Sequence, residues 1–231
     1  MTLYIAIDDT DTISSRGTGK LARSIAGSIA ESGYVVSVSR HQLYVHPGIP
    51  YTTHNSCAVI HIDSDECNPD TLFSMARDMV LDNFIEGSDP GIACAADHQI
   101  TSEVVDFGRS AKRSVLTQDD ARAVAQAARL LLEGLGGTKD GIIGALAGLG
   151  LVAPGCDGRY VMKGGLRQIS GETTVEMVLS AGVDEVIAQD GSSLQTGTII
   201  IRKFPKPSRV NKNAILYVEE KDGIYHEAVK N

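Results

Sequence analysis

The feature that most constrains this chain is a short apolar run that ends in a cluster of carboxylates. Residues Leu3 to Ile7 are all aliphatic or aromatic, and Asp8, Asp9 and Asp11 follow within four positions. Such a run predicts a buried β-strand that delivers the acids to its carboxyl-terminal end. Because side chains alternate along a strand, we expect Asp9 and Asp11 on one side and Asp8 on the other.

Three neighbouring carboxylates repel one another, so burying them is unfavourable unless a cation offsets their charge. Mg²⁺ binds one or two carboxylates together with water and phosphate oxygens. The cluster therefore predicts a magnesium site formed by Asp8, Asp9 and Asp11. The spacing alone is equally compatible with a solvated turn that caps the next helix.

A glycine-containing segment, Arg16-Gly17-Thr18-Gly19-Lys20, lies directly before a run with helical spacing. Glycine lets the backbone approach a phosphate, and the amino terminus of a helix favours an anion. The segment lacks the G-x-x-x-x-G-K-[ST] spacing of a Walker A motif, and a plain capping loop explains the same residues. Its closeness to the acid cluster nevertheless favours cofactor binding by Arg16, Gly17, Gly19 and Lys20.

Hydroxyl and amide side chains are dense between residues 49 and 56, in a segment that separates two predicted strands. An ordinary turn accounts for such residues. Alternatively, Tyr51 could stack on a nucleotide base. We predict that the substrate is bound here, by Tyr51, Thr53, His54 and Asn55.

A second glycine-rich loop, residues 136–141, enters a segment of small and apolar residues that predicts a buried helix over 142–151. The loop could bind another phosphate near Gly141 and Gly144, or it could serve close helix packing. The further glycines along the predicted helix favour packing, whereas the Lys139-Asp140 pair favours a binding site.

Periodicity along the rest of the chain predicts an α/β (α+β) fold of mixed sheets with packed helices. The first part, residues 1–165, alternates strands with helices, and residues 166–231 are mostly β, with a boundary near residues 164–171. Strands are predicted at 3–7, 34–45, 56–62, 91–96, 160–162, 185–188, 198–203, 215–219 and 224–228, and helices at 20–33, 70–84, 121–135 and 142–151. Thr117 is the predicted N-cap of the third helix.

Composition narrows the functional class. The net charge of −8 argues against a protein that wraps nucleic acid, and the basic candidates are limited to Lys203, Lys206, Arg209 and Lys212. The four cysteines form no C-x-x-C pair. No apolar run reaches the length of about 18 residues that a membrane span needs, and the amino terminus differs from a signal peptide. We therefore expect a cytoplasmic enzyme with a small-molecule substrate.

The ordered motifs resemble those of the archaeal tRNA agmatinylcytidine synthetase family. That family attaches agmatine to a cytidine in the anticodon of isoleucine tRNA. The matching residues, which occur in the family's order, are Ile7-Asp8-Asp9-Thr10-Asp11, Arg16-Gly17-Thr18, Leu21-Ala22, Ile49-Pro50-Tyr51 with Thr53, Ser88-Asp89-Pro90-Gly91, and Gly141 to Ala147.

The resemblance implies a kinase-like domain accompanied by a ferredoxin-like portion. It also implies that Asp8, Asp9 and Asp11 hold Mg²⁺ and ATP and act in catalysis, with Thr10 beside the cofactor. Thr18 matches a threonine that can take up phosphate, and the segment Gly141 to Gly144 would lie near the nucleotide. In the family, ATP phosphorylates the cytidine carbonyl and the agmatine amine then displaces the phosphate.

The sequence of this chain also differs from the pattern of the family. It continues into an OB-fold and a zinc ribbon that hold the tRNA, and its Lys-Thr-Arg-Gly-Asn segment is replaced here by Thr52 to Ser56. Three hypotheses follow: an ATP- and Mg²⁺-dependent phosphotransferase or ligase for a small acceptor, the catalytic subunit of a split tRNA-modifying synthetase, or a module that senses ATP without turnover. No membrane partner is expected, and a homodimer is compatible with the sequence.

Overall fold

The computed structural model describes residues 1–12, 17–49, 54–64 and 66–228. The chain divides into two compact units, unit 1 (Met1–Pro154) and unit 2 (Gly155–Asn231). In the described part of the chain, no helix is both long and apolar enough to cross a membrane. The division lies earlier than the boundary predicted near residue 165, because the strand Arg159–Lys163 pairs within unit 2.

Unit 1 begins with the ferredoxin-like order strand, helix, two strands, helix, strand. The fold class predicted from the sequence, a mixed α/β chain with packed helices, is confirmed. The six elements are β1 (Thr2–Asp8), α1 (Thr18–Glu31), β2 (Val35–Gln42), β3 (Ser56–Asp63), α2 (Pro69–Asp82) and β4 (Gly91–Ala96).

The sheet of unit 1 is antiparallel throughout. A fifth strand, β5 (Leu131–Gly134), extends it, and the strand order is β5-β4-β1-β3-β2. The central strand β1 is fully buried from Leu3 to Ile7. This burial on both faces explains the uninterrupted apolar run in the sequence, since an exposed face would show alternating polar residues.

Helices cover both faces of this sheet. One face packs against α1 and α2. The opposite face, which includes Tyr4 and Ala6, packs against three later helices that share its apolar core. These helices are α3 (Ser102–Ser110), α4 (Gln118–Ala127) and α5 (Gly141–Val152).

The helix predicted over residues 121–135 is wrong in its second half. Thr117 caps α4 through Asp120 as predicted, but the helix ends at Ala127. Arg129 adopts a left-handed backbone conformation with φ of 55°. Residues 131–134 then form β5, which pairs with β4. A local apolar pattern cannot reveal this outcome, because hydrogen bonding to a distant strand overrides helix propensity.

Glycines let α5 lie close to its neighbours. A Cβ at Gly150 would overlap the backbone carbonyl of Val104 in α3, and a Cβ at Gly108 would lie 2.9 Å from the carbonyl oxygen of Ala147. The close-packing explanation of the glycine-rich helix is thus confirmed. Helix α3 was missed from the sequence, because its short amphipathic pattern is interrupted by Gly108.

Unit 2 is mostly β, as predicted, around one apolar core that includes Val186, Ile199 and Leu216. The strand order is β6-β11-β12-β13-β10-β7, with β8 also paired to β12 and β9 to β8. The bounds are β6 (Arg159–Lys163), β7 (Gly171–Thr174), α6 (Val175–Ser180), β8 (Glu185–Ile187), β9 (Ser193–Leu194), β10 (Thr198–Ile201), β11 (Ser208–Val210), β12 (Asn213–Lys221) and β13 (Ile224–Glu227). Sequence patterns missed α6, β7, β9 and β11, which are short.

Candidate functional site

Unit 1 contains a pocket of about 360 Å³ beside the carboxyl-terminal end of β1. One part of its wall is acidic, and another part is apolar. The acidic part comprises Asp8, Asp9, Asp11 and Asp140, with Thr18 beside them. The apolar part comprises Leu43, Ile49, Ala111, Val115, Leu116 and Ile143.

Asp8 is the last residue of β1, and its carboxylate lies against the first turns of α5. A Cβ at Gly144 would overlap this carboxylate, so the absence of a side chain at Gly144 makes room for it. Burial raises the pKa of Asp8 from 3.8 to about 8, and the neighbouring charges of Asp9 and Asp11 add to that rise. The space left by Gly144 is occupied by the Asp8 carboxylate, and phosphate binding near Gly144 stays a prediction.

Asp9 turns the chain away from the strand. Its φ of 51° lies in the left-handed region, so the strand alternation expected through Asp11 stops at Asp8. Burial raises the pKa of Asp9 to about 6, and the charges of Asp89, Asp11 and Asp140 add to that rise. Carboxylates from three separate segments therefore converge here, which only the fold could bring about.

Asp11 and Thr18 form a hydrogen-bonded pair at the start of α1. The Thr18 hydroxyl donates to Oδ1 of Asp11 at 2.6 Å, and the Thr18 backbone N–H donates to the same oxygen at 3.3 Å. The Thr18 hydroxyl in turn accepts hydrogen bonds from the hydroxyl of Thr10 at 3.1 Å and from its N–H at 3.3 Å. Both threonines are buried, and the geometry directs the Thr18 proton toward the Asp11 carboxylate.

Thr18 lines the pocket, but the other described residues near α1 that were predicted to bind the cofactor do not. Gly17, Gly19 and Lys20 are not among the residues that line the pocket. The Lys20 N–H donates to the Gly17 carbonyl at 2.7 Å, as in a capping turn. Arg16 lies outside the described residues. Cofactor binding by these four residues stays a prediction.

The loop before α5 is anchored by polar contacts from two directions. The Gly141 N–H donates to the Asp89 carbonyl at 3.0 Å, and the Asp89 carboxylate accepts a short hydrogen bond from the Thr138 N–H. Gln118, at the start of α4, donates to the Thr138 carbonyl at 2.8 Å and to Oδ1 of Asp140 at 2.6 Å. These contacts hold Asp140 at the pocket wall, together with Gly141 and Gly144.

The predicted substrate segment contributes in part. His54 and Asn55 line the pocket, whereas Tyr51 and Thr53 lie outside the described residues. The Asn55 amide donates to the Tyr44 carbonyl at 2.7 Å, and the Asn55 carbonyl accepts from the Leu43 N–H at 2.9 Å. Asn55 is therefore engaged in closing the connection between β2 and β3.

Sequence reasoning missed the pocket wall contributed by the connection between α3 and α4. This wall comprises Ala111, Ser114, Val115, Leu116, Thr117 and Gln118. The exposed Val115 and the N-cap Thr117 gave no functional signal, since such residues are common in connections between helices. These residues line the pocket only because the fold brings them close to Asp8, Asp9 and Asp11, which lie about 100 positions earlier in the sequence.

The acidic wall supplies carboxylate oxygens, which are a ligand type that Mg²⁺ takes. Within the described ranges, no three His, Cys, Asp or Glu side chains are arranged as a ready-made metal cage. Mg²⁺ does not need one, because it commonly keeps several waters and takes phosphate oxygens alongside one or two carboxylates. Burial is the main cause that raises the pKa values of Asp8 and Asp9, and repulsion by neighbouring carboxylates, which a divalent cation would relieve, adds to the rise.

Comparison with family models and with curated proteins finds no match. Solved structures do match. Apo TiaS, an agmatidine synthetase that acts on an isoleucine tRNA, shares 21% identity at a TM-score of 0.55, and a tRNA fluorescent labeling enzyme shares 22% at 0.56. The complex of TiaS with its tRNA and ATP matches with 21% identity and a TM-score of 0.55.

These matches cover 65% of this chain and 35% to 36% of the matched chains, so the protein spans about a third of their length. At this identity the likeness establishes the fold. The resemblance predicted from the motifs is therefore confirmed for the fold.

Proposed function

We propose that unit 1 is the catalytic part of an ATP- and Mg²⁺-dependent phosphoryl-transfer enzyme. The observation that carries the proposal is that one pocket is lined by four carboxylates, those of Asp8, Asp9, Asp11 and Asp140. The Thr18 hydroxyl lines the same pocket and donates a hydrogen bond to Asp11. Such a wall repels a bare phosphate and suits one that arrives with a divalent cation. The likeness to structures of TiaS with ATP supports the same cofactor.

The two parts of the pocket wall suggest how ATP would lie. Asp8, Asp9 and Asp11 would hold Mg²⁺, which neutralises charge on the phosphates during transfer. The apolar part, with Leu43, Ile49 and Val115 among its residues, offers a surface for a nucleotide base. Asp140 faces the same pocket and would add a ligand or a water contact.

Thr18 is a phosphoryl acceptor within the chain itself. In the proposed step its Oγ forms a bond to the γ-phosphorus of ATP, the bond to the bridging oxygen breaks, and ADP leaves. The Thr18 proton passes to Asp11, whose carboxylate already accepts that hydrogen bond at 2.6 Å. Burial of Thr18 limits competing attack by water.

The final acceptor is proposed to be a nucleotide of a tRNA, activated by phosphorylation and then attacked by an amine. TiaS complexes with tRNA, ATP and agmatine have the similar fold, which supports this class over other ATP-dependent reactions. A small-molecule acceptor is the second candidate, because the net charge of −8 argues against a chain that wraps nucleic acid.

The first experiment is isothermal titration of the chain with ATP, with and without Mg²⁺, followed by phosphate release from the same sample. Binding that depends on Mg²⁺, with turnover on adding tRNA, would support the proposal. Binding without turnover across tRNA and small amines would favour a sensor of ATP. Absence of ATP binding in both conditions would refute the phosphoryl-transfer assignment. Intact-mass spectrometry of the ATP-treated chain tests phosphorylation of Thr18, with Thr18→Val as the control.

A further inference from the structure

Unit 2 carries a concentrated positive charge that the pocket of unit 1 does not use. The whole net charge of −8 resides in unit 1, since residues 155–231 contain ten basic and ten acidic side chains. Within unit 2 the charges are unevenly distributed. The segment 202–212 contains five basic residues and no acidic residue.

Two cations of unit 2 lie over one aromatic ring. The guanidinium carbon of Arg167 lies 4.0 Å from the centre of the Phe204 ring, and the Lys206 ammonium lies 5.2 Å from it. Arg167, Lys203 and Lys206 are exposed, whereas Phe204 is half-buried. Stacking on a ring orients a cation without neutralising it, so its N–H groups stay available to an anion.

Two carboxylates, Glu227 and Glu219, lie near these cations. Glu227 accepts a hydrogen bond from the Lys206 backbone N–H at 3.0 Å. Burial raises the pKa of Glu227, while the charges of Lys206, Arg159 and Arg202 act in the opposite direction. Among the residues that the structure describes, no carboxylate forms an ion pair with Lys203 or Lys206. The cations of this region therefore outnumber the two acids that face them.

We propose that this basic surface, formed by Arg159, Arg167, Arg202, Lys203, Phe204 and Lys206, binds the phosphodiester backbone of RNA. Several cations from separate segments, beside a half-buried aromatic ring, match a repeating array of phosphates. A membrane surface is less suitable, because the only aromatic side chain of the surface is half-buried and no long amphipathic helix accompanies it in the described part of unit 2. The inference deepens the proposed function by naming a surface that would hold the tRNA acceptor, and it rests on that function for the identity of the RNA.

The test measures binding of fluorescently labelled tRNA to the full chain by anisotropy between 50 and 300 mM KCl. The triple variant Arg202→Gln, Lys203→Gln, Lys206→Gln removes three phosphate contacts. We expect its affinity at low salt to fall by about tenfold or more, and its salt dependence to become shallower by about one unit per contact. The matched control, Arg77→Gln, Arg109→Gln, Arg129→Gln in unit 1, changes net charge equally and should bind within about twofold of the parent.

Three results would overturn the proposal: no RNA binding by the parent chain, equal losses in both triple variants, or binding to anionic phosphatidylserine vesicles without binding to RNA. ATP binding is titrated in the same samples. Loss of RNA binding with ATP binding intact in the triple variant assigns the surface to unit 2. RNA binding by a chain that binds no ATP would instead refute the proposed function of unit 1 and leave the RNA surface standing.

Discussion

Aspartates are used in opposite ways in the two units. In unit 2, Asp184 accepts hydrogen bonds from the Lys163 ammonium at 2.9 Å and from the Ala214 N–H at 2.6 Å, so its negative charge is compensated. In unit 1, Asp8 and Asp9 are buried among other carboxylates, and their pKa values are raised to about 8 and about 6. A compensated carboxylate stabilises the fold, whereas repelled carboxylates indicate a binding role. The contrast supports the proposed binding role of Asp8 and Asp9.

The largest expected effect is a loss of ATP turnover when a carboxylate of the proposed metal site is replaced by an amide. Asp9→Asn or Asp11→Asn should lower ATP turnover by roughly 100-fold or more, because each removes charge from the proposed metal site. The Tm of Asp9→Asn should not fall, since the substitution relieves repulsion. Phosphate release and thermal unfolding measure the two effects. Asp82→Asn on the exposed end of α2 is the control, and equal turnover in all three variants would refute the site.

The close approach of the Asp8 carboxylate to Gly144 can be tested by adding a methyl group at Gly144. Gly144→Ala places a Cβ in the volume of the Asp8 carboxylate and should weaken ATP binding by about tenfold while also destabilising unit 1. Gly27→Ala in α1 is the matched control, because its Cβ would meet no atom within 4 Å. That control should be neutral or stabilising by up to about 1 kcal/mol. Equal ATP affinity in both variants would show that Asp8 is not held against α5.

Stability should depend on pH in a direction set by the raised pKa values. Above pH 4 the folded state holds a proton on Asp9 up to about pH 6 and on Asp8 up to about pH 8, whereas the unfolded state releases both, since the pKa of unfolded aspartate is near 3.8. Without Mg²⁺, the Tm should therefore fall as pH rises through this window. Asp8→Asn should remove most of the slope between pH 6 and 8. A Tm that rises over that interval in the metal-free chain would contradict the burial of Asp8.

The smallest effect concerns the compensated acid of unit 2. Asp184→Asn should lower the free energy of unfolding by about 1 kcal/mol, because it weakens one ion pair and one hydrogen bond at a partly exposed position. ATP binding should be unchanged. Urea unfolding together with ATP titration provides the check, and loss of ATP affinity would mean that the two classes of aspartate are not functionally distinct.

Local patterns predicted much of the fold because the relevant interactions lie close in sequence. β4 was predicted at residues 91–96 with its observed bounds, and the capping box of Thr117 and Asp120 marked the start of α4. The apolar run at Leu3 to Ile7 identified the central strand. The error over residues 131–135 arose because an apolar helix end and an edge strand have the same composition, and only pairing with β4 distinguishes them.

The sequence by itself determined that carboxylates follow a buried strand and that a threonine lies a few residues beyond them. Tertiary structure alone decided their arrangement, because Asp89, Gln118 and Asp140 reach the site from segments far apart in the chain. It also brought the Asp8 carboxylate into the space that the missing side chain of Gly144 leaves. The physical reason is that charge repulsion, burial and close approach depend on distances in space, which residue spacing does not specify.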